Sequence, residues 1–166
     1  MNYHDIRSCD MLNGKGLRVV LFVSGCSHGC KSCHNPETWN PKSGIPFNQK
    51  AVNEIYDELK LDYIDGLTLS GGDPLHPDNL DTIYDLVSDV KRDFPKKTIW
   101  IYTGYTLQEL LEDNSRDGIK RREILKKCDT LVDGKFVESL SSNDYPFAGS
   151  TNQNIIDLKN IKEKIS

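Results

Sequence analysis

Apolar residues along the chain fall into two kinds of pattern, short unbroken runs and sets at helical spacing, and the two kinds alternate. Leu17 to Val23 (LRVVLFV) is an apolar and β-branched run that stops at Ser24-Gly25, the signature of a buried strand. From Asn48 onward, Val52, Ile55, Tyr56 and Leu59 recur at helical spacing, and Asn48 is placed to cap that helix. Leu67 to Leu69 reads as a short strand running into SGGDPLHP. Asp78 is then expected to cap an amphipathic helix that carries Leu80, Ile83, Tyr84, Val87 and Val90 on one face and closes at Pro95. Thr98 to Thr103 (TIWIYT) reads as a strand ended by Gly104. Helical stretches follow at Leu107 to Leu111 and from Ile119 to Lys126, before a strand at Thr130 to Val132 that leads into DGKF. Asn35 to Phe47, rich in Pro, Asn, Ser and Gly, reads as loop, and Asn154 to Ile165 is ambiguous.

Strands alternating with helices predict βαβ units, and so an α/β fold with a mostly parallel sheet covered by helices. Ligands in such sheets gather at the C-terminal ends of the strands. The cysteine-rich stretch after the first strand, SGGDP after the second and TGY after the third are therefore expected to open on one edge. With 166 residues and neither repeat nor low-complexity linker, the expectation is a single compact domain over residues 1–166.

Composition narrows the setting. At 37% hydrophobic and 28% charged residues, the chain has the make-up of a soluble globular protein. No apolar run approaches the roughly 20 residues that span a bilayer, so no membrane partner is expected. The stretch MNYHDIRSCD lacks an apolar signal-peptide core, which makes the cytoplasm the expected location and keeps cysteines reduced. A net charge of -4 gives no general attraction to nucleic acid. The basic segment from Lys120 to Lys127 reads as a solvated helix face.

The chemistry concentrates in CSHGCKSCHN, where three of five cysteines fall at Cys26, Cys30 and Cys33. That distribution makes a poor disulfide framework and favours a metal or redox site. A buried stripe of small residues fits badly with Gly25, Ser27, Gly29, Lys31 and Ser32 interleaved. A redox pair made of Cys30 and Cys33 leaves Cys26 without a role. Zinc bound by these cysteines with His28 or His34 lacks a second ligand pair, since Cys9 and Cys128 lie far off in sequence. Three thiolates on one loop suit an iron–sulfur cluster with three irons held and the fourth left open.

The CxxxCxxC spacing resembles the signature of the radical S-adenosylmethionine enzymes. The resemblance implies a partial (β/α) barrel, one 4Fe-4S cluster on Cys26, Cys30 and Cys33, and S-adenosylmethionine bound at the open iron. SGGDPL resembles the family's glycine-rich segment for the methionine end of that cofactor, and implies contacts from Gly71, Gly72 and Asp73, although many members carry Glu where Asp73 stands. Ser32, Cys33 and His34 are the further cofactor contacts implied. Because cluster and cofactor carry the chemistry, no side chain is assigned as a general acid or base. CHNPETW resembles a segment of the activating enzymes of glycyl radical enzymes. The longer stretch NGKGLRVVLFVSGCSHGCKSCHNPETW, with LVDGKF and GSTNQ downstream, resembles the activases of anaerobic ribonucleoside-triphosphate reductases. That implies the catalytic subunit of such a reductase as protein substrate and a flavodoxin-like electron donor. Lys15 and Ala148 stand where that family usually has Pro and Arg, and Ser32 where the superfamily is often aromatic. Two other readings stay open: an activase of the pyruvate formate-lyase type, and a non-enzymatic zinc-binding interaction module. Within the cysteine loop His28 reads first as a loop-surface histidine and second as a residue that tunes the cluster or contacts the cofactor, while His76 reads as a turn residue, Cys9 and Cys128 as packed small residues, and Trp100 and Tyr102 as sheet residues. Tyr105 lies beyond the strand, placed to face the cofactor.

Overall fold

The computed structural model describes residues 1–166. Four strands, β2 (Arg18–Val23), β4 (Gly66–Gly71), β5 (Thr98–Tyr102) and β6 (Thr130–Asp133), run parallel side by side. Antiparallel strands complete the sheet: β1 (Asn2–Asp10) and the short β3 (Ile45–Pro46) beyond β2, and β7 (Asn154–Asp157) beyond β6. The order is β3-β1-β2-β4-β5-β6-β7. Helices α1 (Gln49–Leu59), α2 (Leu80–Asp93), and α3 with α4 (Leu107–Glu112, Arg116–Lys126) lie between successive parallel strands, and α5 (Lys162–Ile165) ends the chain. The α/β expectation with a mostly parallel sheet holds, and no helix is long and apolar enough to cross a membrane.

Strand alternation sorts the side chains into two layers. Val19, Leu21, Val23, Leu67, Leu69, Ile99, Ile101 and Leu131 pack with Ile55, Ile83, Val87, Ile124 and Leu125 of the helices in one core. Removing this apolar area from water is the main drive for the fold. The opposite face carries Arg18, Thr68, Trp100 and Tyr102. Arg18 is 1% exposed and donates to Thr68 Oγ1 (2.8 Å), Thr98 Oγ1 (2.9 Å) and the carbonyls of Lys15, Leu67 and Thr98. Burial pulls its pKa down to about 10, with Asp65 as the strongest opposing charge. Two segments lie on this second face. One spans residues 10–16, where the Asn13 carbonyl accepts from Thr68 Oγ1. The other spans residues 134–153, where Phe147 packs edge-on against Trp100 with ring centroids 5.3 Å apart.

The element boundaries depart from the sequence reading at identifiable points. Asn48 caps α1 as expected, its Oδ1 accepting from Ala51 N. Asp78 does not cap α2. It lies inside a 3-10 turn, Pro77–Asn79, whose cap is His76, with Nδ1 accepting from Asp78 N. Asn79 stands at the cap position of α2 with its side chain drawn away to Ser24 O (2.8 Å) and Asp73 O (3.0 Å). Helix α4 begins earlier than Ile119, at Arg116, because Ser115 caps it through Gly118 N. The basic segment is not a wholly solvated face. Arg121 is 6% exposed, and Arg122 donates to the carbonyls of Leu110 and Asp113. The ambiguous C-terminal stretch divides into β7, a 3-10 turn and α5.

Candidate iron–sulfur and cofactor site

At the C-terminal ends of β2, β4, β5 and β6 lies a cavity of about 320 Å³. Its walls include Cys26, Cys30, Cys33, Ser70, Gly71, Gly72, Thr103 and Gly104, so the three special segments do share one sheet edge. Cys33, His34, Gly71 and Gly72 of the implied cofactor contacts line it. Ser32 and Asp73 do not.

The cysteine loop is fixed at both ends by backbone hydrogen bonds. Gly25 N donates to Thr38 O (2.7 Å) and Cys26 N to Trp39 O (3.0 Å), while Asp73 N donates to Gly25 O (2.6 Å). Within the loop, Cys33 N donates to Cys30 O (3.2 Å). The intervening Ser32 takes a left-handed φ of 58°, which turns its exposed side chain away from the cavity. An amide hydrogen reaches one of the sulfurs: Asn35 N donates to Cys33 Sγ (3.4 Å). Burial pushes the Cys26 thiol up to about 11, with the His28 amide pulling the other way. Iron coordination reverses this, because a metal holds its cysteine ligands as thiolates.

The donor set fits a cluster better than a single ion. The three sulfurs line one cavity, and one of them, Cys33 Sγ, accepts from an amide hydrogen. A 4Fe-4S cluster spreads its thiolates over separate irons and takes Cys ligands with N–H donors to the sulfurs.

Gly71 and Gly72 have a packing reason as well as a ligand-facing one. A Cβ at Gly72 would stand 2.6 Å from Gly25 O, and one at Gly71, whose φ is 107°, would stand 2.4 Å from Val23 N. Glycine at both positions therefore allows the end of β4 to press against the end of β2 and the cysteine loop.

Asp73 lies beneath the cavity wall, 1% exposed. Its Oδ1 accepts from Leu75 N (2.8 Å), Oδ2 accepts from His28 Nε2 (2.6 Å) and Gly104 N (3.0 Å), and Thr103 Oγ1 donates to the carboxylate at 2.9 Å. These bonds occupy the carboxylate with the protein's own donors. His28, read from the sequence first as a loop-surface residue, turns inward and lines the cavity. Its side chain is 8% exposed and packs edge-on to Tyr105, ring centroids 4.7 Å apart. Tyr105 stands behind His28 rather than in the cavity wall, its hydroxyl accepting from Arg121 Nη2 (3.2 Å). The only sequence signal for the pair was a histidine inside the cysteine motif and an aspartate in SGGDP, 45 residues apart.

The GSTNQ block fastens a roof over the cavity. Gln153 Nε2 donates to Gly134 O (2.9 Å), and its Oε1 accepts from Gly149 N (2.8 Å) and Ser150 N (3.0 Å). Tyr102 Oη donates to Phe147 O at 2.5 Å. Phe136, Phe147, Ala148 and Gly149 of this segment line the cavity, and His34 packs against Phe136 at 4.8 Å.

A family model described as a 4Fe-4S single cluster domain matches residues 12–156, which takes in the cysteine loop, the ends of the parallel strands and the roof. Fold and site thus define an α/β protein carrying a 4Fe-4S single cluster domain. Among curated proteins, the anaerobic ribonucleoside-triphosphate reductase-activating protein of Enterobacteria phage T4 is 45% identical over 155 residues, 93% of each chain. Its namesake in Vibrio cholerae is 45% identical over 155 residues, 92% of this chain and 96% of the relative, and that of Escherichia coli K12 is 40% identical over 161 residues, 96% and 100%. The chain belongs to the family of anaerobic ribonucleoside-triphosphate reductase-activating proteins.

Proposed function

We propose that this chain is a radical S-adenosylmethionine activase that installs a glycyl radical on the catalytic subunit of an anaerobic ribonucleoside-triphosphate reductase. Cys26, Cys30 and Cys33 hold a 4Fe-4S cluster, and S-adenosylmethionine occupies the cavity beside it. When bound and reduced by a flavodoxin-like donor, these groups supply a 5'-deoxyadenosyl radical that takes a hydrogen atom from a glycine Cα of the reductase. The whole chain, residues 1–166, acts as one domain of partial-barrel type in the cytoplasm.

The protein's own part is to bind, orient and exclude water. The cysteine loop presents three thiolates, one of which, Cys33 Sγ, accepts from the Asn35 amide. The backbone of Ser70, Gly71 and Gly72 lines the cavity where the methionine end of the cofactor rests, with His34 on the wall beside Cys33. Asp73, set outside the wall, holds the Leu75 and Gly104 amides, and Ser32 stands on the exposed side of the cysteine loop. The roof from Gly134 to Gln153 limits water on one side, while Leu12, 77% exposed, leaves an apolar approach for a protein substrate on the cavity's rim.

One observation carries the reading: CxxxCxxC and SGG meet at a single sheet edge in a chain of this activating-protein family. The test is anaerobic reconstitution with iron and sulfide, then dithionite, S-adenosylmethionine and the candidate reductase, followed by EPR. A glycyl radical doublet that needs every component is the expected result. Formation of 5'-deoxyadenosine without a doublet would move the partner to another glycyl radical enzyme, and stoichiometric zinc in place of iron would overturn the proposal.

A further inference from the structure

We propose that His28 is a positioning residue that latches the first half of the cysteine loop to Asp73 and so sets the environment of the Cys26 sulfur. The inference rests on the reading of Cys26, Cys30 and Cys33 as cluster ligands.

The loop needs such a latch. Backbone bonds hold it at Gly25 and Cys26 on one side and across the Cys30–Cys33 turn on the other, and residues 27–29 make no backbone–backbone hydrogen bond. Ser27 and Gly29 are exposed, and a Cβ on Gly29 would find no atom within 4 Å. Of these three residues, His28 alone turns inward.

Three groups hold its ring. Asp73 Oδ2 lies 2.6 Å from Nε2, and since that carboxylate is the acceptor for Leu75 N, Gly104 N and Thr103 Oγ1, Nε2 carries the shared hydrogen. Gly104 gives the ring its place, for a Cβ there would stand 2.4 Å from His28 Cδ2. Tyr105 closes the third side, and is itself held by Arg121, whose Nε donates to Leu75 O (2.9 Å) and whose guanidinium lies over the Tyr105 ring at 4.5 Å. The anchor therefore draws at once on the segments that follow β4 and β5 and on α4.

The consequence reaches the sulfur through the same residue. His28 stands two residues from both Cys26 and Cys30 and lines the cavity with them, so fixing its ring fixes the backbone between those two sulfurs. Net charge beside a cluster helps set its reduction potential, and an Asp73 carboxylate left without its His28 partner disfavours the reduced, more negative state. Partners one step beyond metal ligands typically change metal retention by about 10- to 100-fold. Releasing the latch is expected to lower the cluster's potential and loosen its iron.

The test uses the full chain, reconstituted anaerobically, with three replacements. His28→Phe keeps the ring and its packing but loses the donor, His28→Ala loses both, and His28→Gln keeps an N–H that reaches Asp73. Redox titration followed by EPR should give a more negative midpoint in H28F and H28A, and iron should pass to a chelator about 10-fold faster or more. H28Q should return both values toward those of the unaltered chain. If H28F does not fold, the H28A and H28Q pair carries the same comparison. Equal potentials and release rates in all four proteins would overturn the latch and leave the cluster assignment standing. A defect in H28Q with normal H28F would also overturn it, by showing a space-filling ring. Failure of the unaltered chain to take up a cluster would overturn the functional reading and the latch with it.

Discussion

The side-chain amide of Gln153 donates to the carbonyl oxygen of Gly134 at 2.9 Å, and in doing so ties the far end of the roof over the cavity back to the end of β6. Its Oε1 holds Gly149 and Ser150 at the same time, so one side chain closes a span of 20 residues from 134 to 153. Gln153→Ala strands one carbonyl and two amides, and is expected to cost about 1–3 kcal/mol where these groups stay shielded from water. Urea unfolding measures that loss. The roof should also loosen locally, read as faster tryptic cleavage after the exposed Lys135 under native conditions. Unchanged cleavage in the variant would show that the roof is held elsewhere, for instance by Tyr102 on Phe147.

A second prediction separates two glycines by what surrounds them. The Cβ introduced by Gly72→Ala lands 2.6 Å from Gly25 O and 3.0 Å from Thr38 O, both backbone atoms that cannot swing aside. Overpacking of this kind costs about 1–3 kcal/mol and should push the cysteine loop away from β4, so both the melting temperature and iron uptake fall. In Gly29→Ala the Cβ meets nothing within 4 Å, and only the φ of 62° is unfavourable, at about 1–2 kcal/mol. Iron uptake by G29A should stay near that of the unaltered chain.

The central parallel strands were legible because strands covered on both faces read as near-continuous apolar runs, and LRVVLFV and TIWIYT come close to that. Strand β1 was not, since as a near-edge strand it buries only Tyr3 and Asp10 in NYHDIRSCD and shows no alternation. Arg18 sits inside an apolar run, yet it is buried by five hydrogen bonds whose partners are up to 80 residues distant. The cysteines were legible because their ligand spacing is local. The His28–Asp73 pair was not, since each residue looks like ordinary loop until the strand ends are side by side. Asp78 misled for the opposite reason: a good capping residue stands one position too early, and Asn79, at the cap itself, is committed to Ser24 and Asp73.

The five cysteines divide cleanly by position. Cys26, Cys30 and Cys33 line the cavity, Cys9 is exposed on β1, and Cys128 is buried after α4. Replacing any of the first three with Ala should abolish the iron–sulfur absorbance of the reconstituted protein, because each loss leaves one iron without its thiolate. Replacing Cys9 or Cys128 should leave it intact. Iron and acid-labile sulfide assays on the five variants check this, and a colourless C9A protein would mean that the ligand set is misassigned.

Cys128 also gives the protein an alkaline limit. Burial pushes its thiol up to about 12, with Asp129 adding to the effect and Lys162 opposing it. In the unfolded chain the same thiol ionises near its ordinary value of about 8.5. Between the two, the folded state holds a proton that the unfolded state has lost, so stability is fully present below about pH 8.5 and falls as pH rises toward the folded value. Tyr102, also raised mainly by its burial, adds a loss of the same sign at higher pH. The expected record is a melting temperature that is flat in this group's contribution through neutrality and declines above pH 9. Cys128→Ala removes one proton from the difference, which makes the decline shallower by up to about 1.4 kcal/mol per pH unit. Since alanine also leaves a small void, the slope against pH carries the test rather than the stability at any one pH. Native iodoacetamide labelling at pH 8 should reach Cys9 and spare Cys128, and an identical slope in C128A would place the alkaline loss on other raised groups, Cys26 and Tyr102 among them.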